Sequence, residues 1–390
     1  ADSTDGTDST DGTLAECTVT VSPGEGAQDA LQTALIEAAE GDVVCLGAGT
    51  FAFTAEISLS VAKVTLRGAG LDKTVLDFAG QLVGANGVKI TSNDVILQDF
   101  AVANAAGDGI RAEAVDGITF QRVKVSWDTA GSSENGGYGL YPVQCNDVLV
   151  DHCVVTGASD AGIYVGQSTN ALVTDSESYG NVTGIEIENT SDSEVVNNHV
   201  HDNAAGILVF NLPELPVKTG ERAKVHSNLV ENNNIPNFGA AGSIVAKVPS
   251  GCGLVVDAAD FAEIHDNTVR GNKTFGLVIL HHEPLLFGEY EDAEYDPWPE
   301  GNYVHDNTFS DNGTDPQGIA ATLPLPTPIP DMSWDGCALA ETEPTQGLCI
   351  AGNGEATFLN FGLCNEFKTF TDLSPFACEG KVLDGIVFAE

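Results

Sequence analysis

The chain has 390 residues, 42% of them hydrophobic, and sets only 15 basic residues against 57 acidic ones, for a net charge of −42. A field of that sign repels nucleic acid and anionic membranes, so neither is an expected partner, and it also opposes a polyuronate. Such a surface suits saline surroundings or bound divalent cations, and the length would allow two or three ordinary domains.

Residues 1–13, ADSTDGTDSTDGT, are a doubled six-residue repeat that reads as a disordered spacer. Its aspartates offer oxygen ligands for Ca²⁺, but no loop with a closing Glu is present. Residues 17–56 are expected to form an N-terminal cap: a strand at Thr18–Val21, an amphipathic helix over Gln28–Ala39, and a strand at Val43–Leu46. The helix would close the open end of whatever stack follows.

From Gly139 to Asn203 one unit is written three times, opening on Gly139, Gly162 and Gly184. A period near 22 residues is the mark of a solenoid, in which each unit buries its apolar face only against its neighbours. The spacing predicts an all-β fold, a right-handed parallel β-helix over residues 57–322, with the glycines allowing the sharp corners between strands, where a Cβ would often clash. A second signature, apolar-x-x-Asn-x-apolar-x-x-Asn, recurs through Asn198/Asn203, Asn228/Asn233, Asn267/Asn272 and Asn307/Asn312. These read as structural ladders, since Asn tolerates left-handed turns and its amide can bridge coils.

Insertions interrupt the frame at 212–222, 234–250 and 281–301, the last acidic and aromatic together. Pro324–Pro330 then breaks it, and 323–390 reads as a Pro-rich connection and a cysteine-containing C-terminal cap. The nine cysteines lack a Cys-x-x-Cys pair, which argues for disulfides in an exported chain. Cys17 with Cys45, and bridges among Cys337, Cys349, Cys364 and Cys378, are expected. Cys145 and Cys153 either pair or sit in the stack, and Cys252 is the odd thiol. No signal peptide or membrane span is present, so an exported chain would be in its mature form.

Alternate residues after each opening glycine face outward. One column reads Lys89, Arg111, Tyr141, Tyr164, Glu186, Leu208, Val255, Val278, and the next Thr91, Glu113, Val143, Gly166, Glu188, Phe210, Asp257, Leu280. Tyr141, Tyr164, Glu186 and Glu188 are the candidate catalytic groups, because tyrosine beside carboxylates can move protons on a sugar ring and aromatic faces stack on pyranoses. Glu186 and Glu188 could equally share a cation. Arg111, Glu113 and Phe210 are candidate substrate-binding residues. His226, His265 and His305 form a third column that could ligate Zn²⁺ or Cu²⁺, with His281-His282-Glu283 a separate weak candidate.

The stretches DAGIYVGQS (160–168), VTGIEIENT (182–190), AGILVFNLPEL (205–215) and NNNIPNFG (232–239) resemble exported bacterial right-handed parallel β-helix repeat proteins, some of them lipoproteins. That resemblance implies a periplasmic, outer-membrane-anchored or extracellular location, a lipid anchor lost from this chain, and pairing with a di-haem c-type cytochrome. More distantly the pattern is similar to pectate lyases and mannuronan C5-epimerases. Neither the Asp-Pro-His-Asp or Asp-Pro-His-Glu motif of the epimerases nor the Arg-x-Pro-x-x-Arg motif of the lyases is present, and only Val150-Asp151-His152 is similar to a short pectate-lyase stretch. The expected function is binding, with groups able to modify, of a carbohydrate along the Tyr/Glu strip. The alternative is a non-catalytic scaffold that docks a cytochrome through 281–301.

Overall fold

The computed structural model describes residues 16–284, 288–338 and 347–388; the spacer at 1–13 lies outside them. Parallel ladders wind the chain into a solenoid. Eleven strands make one face, starting at Ala55–Leu59 and ending at Phe358–Asn360. A twenty-stranded sheet makes the other two, which merge where the long strands Val95–Ala103 and Asp116–Ser126 each pair with two strands of a neighbouring coil. Val, Ile and Leu from every face meet in one continuous core.

The asparagine ladders run inside this core. Asn198, Asn228, Asn267, Asn307 and Asn353 form one, each side-chain oxygen after the first accepting the backbone N–H and side-chain amide of the Asn one coil earlier. Asn181, Asn203, Asn233, Asn272 and Asn312 form the second. The left-handed turn expected of them falls elsewhere: the residue just before takes it, as at Asn197, Asp202, Ser227, Asn232, Asp266 and Asp306. The ladder Asn therefore serves only to pair buried polar groups, and its small polar neighbour supplies the bend.

The opening glycines also act differently from expectation. None of Gly139, Gly162, Gly184, Gly206, Gly253 and Gly276 has a positive φ. A Cβ at Gly184 would instead meet Val200 of its own coil, the Gly206 carbonyl at 2.9 Å and the Asn203 amide at 3.0 Å. Close packing, not turn geometry, demands glycine there.

At the N-terminal end the helix runs Ala27–Glu37 and buries Ala27, Leu31 and Leu35. Gln32 on it accepts the Ser58 N–H and donates to the Ser58 carbonyl, both at 2.9 Å, while Gln28 accepts the Thr54 N–H at 2.7 Å. The exposed edge of the first strand is thereby satisfied by side chains and closed to further strands. At the other end the ladders run on past residue 322, because Met332–Trp334 and Phe358–Asn360 extend the eleven-stranded face and Leu348–Ala351 the other sheet. Proline and irregular loops between these strands hide the frame in sequence.

Disulfides join Cys17–Cys45, Cys337–Cys364 and Cys349–Cys378. Cys145, Cys153 and Cys252 are free and buried. Cys153 occupies the foot of the first ladder, its N–H donating to Ser176, whose N–H in turn donates to Asn198. Three disulfides point to an oxidising compartment, extracellular or periplasmic. Among the described residues no helix is long and apolar enough to cross a membrane.

Candidate functional site

The two outward columns fall on the eleven-stranded face in the expected register. Lys89 pairs with Arg111, Arg111 with Tyr141, Tyr164 with Glu186, and Glu186 with Leu208. In the second column Glu113 pairs with Val143, Gly166 with Glu188, Glu188 with Phe210, and Phe210 with Asp257.

At the basic end, Arg111 reaches Glu113 at 3.2 Å and Asp108 at 3.5 Å, and lies 4.8 Å above the Tyr141 ring. Lys89 is 3.5 Å from Glu113. Arg111 is therefore committed to local carboxylates and a tyrosine face, and its buried Nε has no hydrogen-bond partner among the described residues. Next come three tyrosines. Tyr138 stacks on Tyr141 at 4.4 Å, and Tyr164 leans against both at 4.8 and 4.7 Å. Burial raises all three phenols, Tyr141 to about 12, so each is a neutral donor under ordinary conditions.

Beyond the tyrosines, insertion 234–250, with Leu212 of the other insertion, partly roofs the face over a half-open cavity of about 240 Å³. Tyr138, Asp160, Glu186, Glu188 and Asp257 supply its polar wall; Leu208, Val255 and Val248 are among the apolar residues. Desolvation pushes Asp160 up to about 7 and holds Glu186 well above the usual carboxylate range, with the Asp160 charge adding to it. Thr183 Oγ1 donates to Glu186 at 2.7 Å. Glu188 is raised by burial and pulled back by a hydrogen bond from Tyr164. Glu186 and Glu188 thus hold protons more tightly than ordinary carboxyls, which favours proton sharing over cation sharing.

Asp257 is 4% exposed; its Oδ2 meets His282 Nδ1 at 2.9 Å, while Oδ1 has no hydrogen-bond partner among the described residues. Two rungs separate Asp257 from Glu188, about 9.6 Å of backbone, with Phe210 between them. On the far side of Val248 and Val255 lies an apolar cavity of about 580 Å³, walled in part by Phe275, Val278, Phe361 and Phe367.

Sequence reasoning placed Asp257 in a column without giving it a role, and missed Tyr138, Asp108 and Asp160. These last sit in the corner just ahead of the strand, where only their one- or two-residue distance from an opening glycine marks them. Gly166 is tied to the site as well. A Cβ there would fall on the Tyr164 hydroxyl. Gly166→Ala is therefore expected to push Tyr164 off Glu188 and destabilise the chain by about 1–3 kcal/mol. An unchanged melting midpoint would contradict that contact.

The histidine column also forms. His226, His265 and His305 stack at 4.7 and 4.8 Å with planes within 5°. His226 Nε2 meets Glu194 at 2.8 Å and His305 Nε2 meets Glu263 at 3.1 Å. Parallel rings aim their nitrogens side by side, so one ion shared by all three would require the rings to rotate. His281 and His282 are buried, the first between Asp335 and Glu283, stacked on Trp298. Cys337 and Cys364 approach His281 but are joined in a disulfide, which leaves no thiolate. Asp151 and His152 lie on the other sheet, away from the tyrosines.

Residues 86–243 match the family model described as a right handed beta helix region, and the ladders extend that class over the described chain. Among solved structures the chain is similar to the A-modules of two mannuronan C-5 epimerases of Azotobacter vinelandii. For AlgE6 the identity is 17%, the TM-score 0.57, and the match covers 85% of this chain and 91% of that one. For AlgE4 the values are 14%, 0.55, 86% and 96%. A polygalacturonase from Erwinia carotovora ssp. carotovora aligns at 13% identity and TM-score 0.54, over 88% of this chain and 94% of that one. At such identities the likeness is one of fold. No curated protein matches the chain in sequence.

Proposed function

We propose that this β-helix binds a neutral carbohydrate in the cavity beneath 234–250 and carries the carboxyl groups to hydrolyse a glycosidic bond there. The observation that carries the reading is that Glu188 and Asp257, two rungs apart with Phe210 between them, line one half-open pocket. A two-rung spacing of the backbone suits the wider carboxyl separation of inverting glycosidases (roughly 6.5–9.5 Å), which leaves room for a water between acid and base, better than the closer pair of retaining ones. Glu188, raised by burial and held by Tyr164, is cast as the acid; Asp257, oriented by His282 with one oxygen open, is cast as the base. Asp160 and Glu186, protonated, donate hydrogen bonds to sugar hydroxyls, and Tyr138, Tyr141 and Tyr164 line the approach. That the fold is shared with carbohydrate-active proteins supports the class. The −42 charge and the acidic wall favour a neutral sugar over a polyuronate, and the apolar cavity alongside favours one bearing an apolar substituent.

The test is calorimetric binding and reducing-end release over a panel of neutral oligosaccharides, their apolar glycosides and polyuronates. Glu188→Gln and Asp257→Asn are expected to keep binding within a few fold and to lower turnover at least about 100-fold. Folded protein that binds no saccharide, or variants that turn over normally, would end the proposal. Docking of a c-type cytochrome through 281–301 finds no comparable support. The aromatic and histidine groups His281, His282 and Tyr295 of that insertion are buried, and Asp292 is tied to Lys218 of the neighbouring insertion.

A further inference from the structure

On a different face from the cavity, the strands Glu177–Tyr179, His199–His201 and Leu229–Glu231 stack on three successive coils. The two-residue period turns Ser178, Val200 and Val230 into the core and leaves Glu177, Tyr179, His199, His201 and Glu231 outside. His199 and His201 lie with ring centroids 4.1 Å apart, and Tyr179 stacks on His201 at 5.2 Å.

The hydrogen bonds around these rings are the informative part. His201 Nδ1 is 2.8 Å from Asp202 Oδ2, so that nitrogen carries a proton and donates it. Its Nε2 then presents a lone pair to Glu177 Oε1, 3.2 Å away, itself an acceptor. His199 Nε2 lies 3.0 Å from Glu231 Oε1, a contact that a neutral ring makes by carrying its proton on that nitrogen. Glu231 Oε2 is already held by Arg270 at 2.6 Å, which orients the remaining oxygen. At His201 two acceptors at that distance need something positive between them, either a second proton on the ring or a cation. The ligand atoms of Glu177, His199 and His201 all lie within 4.8 Å of one another. Asp202 fixes the tautomer of His201, as an outer carboxylate does for a metal-bound imidazole.

We propose that Glu177, His199 and His201 form a site for a divalent transition metal, Zn²⁺ or Cu²⁺, with Glu231 adjoining and water in the open positions. Two imidazoles and a carboxylate suit those ions, whereas Ca²⁺ and Mg²⁺ take oxygen sets. The ligands come from adjacent coils, so the ion clamps one rung to the next. The acidic field of the whole chain raises the local cation concentration. This site is independent of the carbohydrate reading.

The experiment is titration of the full chain, stripped with EDTA, with ZnCl₂ by calorimetry. One ion per chain is expected, with an affinity that falls as the pH is lowered because protons compete with the metal for the same ligand atoms. His199→Ala and His201→Ala should each weaken binding at least about tenfold, and Asp202→Asn about tenfold through orientation alone. The column variant H226A/H265A/H305A should bind as the parent does. On the unmutated chain, the Cu²⁺ electron paramagnetic resonance spectrum should show coupling to two imidazole nitrogens. The proposal is overturned by a flat titration, by binding lost in the column variant, by equal competition from Ca²⁺, or by a copper spectrum with one nitrogen.

Discussion

Replacing Asn228 with Ala is expected to destabilise the protein by about 3 kcal/mol or more and to lower the yield of folded chain. Asn228 is 1% exposed and sits mid-ladder. Its oxygen accepts from the Asn198 backbone and side-chain amides at 2.9 and 3.0 Å. Its amide donates to the Val195 carbonyl at 2.8 Å and to Asn267 at 3.0 Å. Alanine leaves the Asn198 backbone N–H, one Asn198 amide hydrogen and the Val195 carbonyl each short of a buried partner, at about 1–3 kcal/mol apiece, while Asn267 keeps the backbone N–H of residue 228. Asn237→Ala, which removes bonds to the Val245 and Val248 carbonyls within the 234–250 insertion, should loosen that roof and leave the solenoid's melting unchanged. Differential scanning calorimetry of both variants checks the contrast; equal effects would mean that the ladder is not what holds adjacent coils.

The second large effect concerns pH. Asp160 keeps part of its surface open to the cavity, yet burial and neighbouring acids lift its pKa from 3.8 to about 7. As pH rises through about 4 the unfolded chain releases this proton while the folded chain retains it. Stability therefore falls with rising pH between about 4 and 7, and levels off above. At about 1.4 kcal/mol per pH unit the loss is bounded at about 4 kcal/mol, and cavity water brings the expectation to about 2–4 kcal/mol. Asp160→Asn removes the charge and keeps the shape. It should match the parent at pH 4 and exceed it at pH 8, where its urea midpoint rises. Parallel curves for the two proteins across that range would refute the assigned burial of the charge.

How far the site could be seen in advance differs residue by residue. Tyr141, Tyr164, Glu186 and Glu188 were legible because a period of 22 and a strand period of 2 together assign each outward residue a vertical neighbour. Arg111 was legible as a position but not as a partner: its ion pairs with Asp108 and Glu113 use it up locally. Asp160 and Tyr138 were invisible because corner residues obey neither period. The HVH triplet at 199–201 carried a signal, two imidazoles on one face of a strand, that went unread beside the longer histidine column. Cys17–Cys45 was expected and forms; of the two alternatives open for Cys145 and Cys153, a place in the stack without pairing is the one found.

The amino-acid sequence by itself determined the coil, its register, the polar ladders and the identity of the outward strip. Each of these depends on residues one repeat apart, and a repeating backbone converts that spacing directly into contact. Only the tertiary structure decided which part of the strip becomes a chamber. The insertions follow no period, and where they settle depends on shape and charge matched against coils far away in the chain. That settling turns Glu186 and Glu188 from solvated acids into buried ones, and brings Asp257 under the same roof.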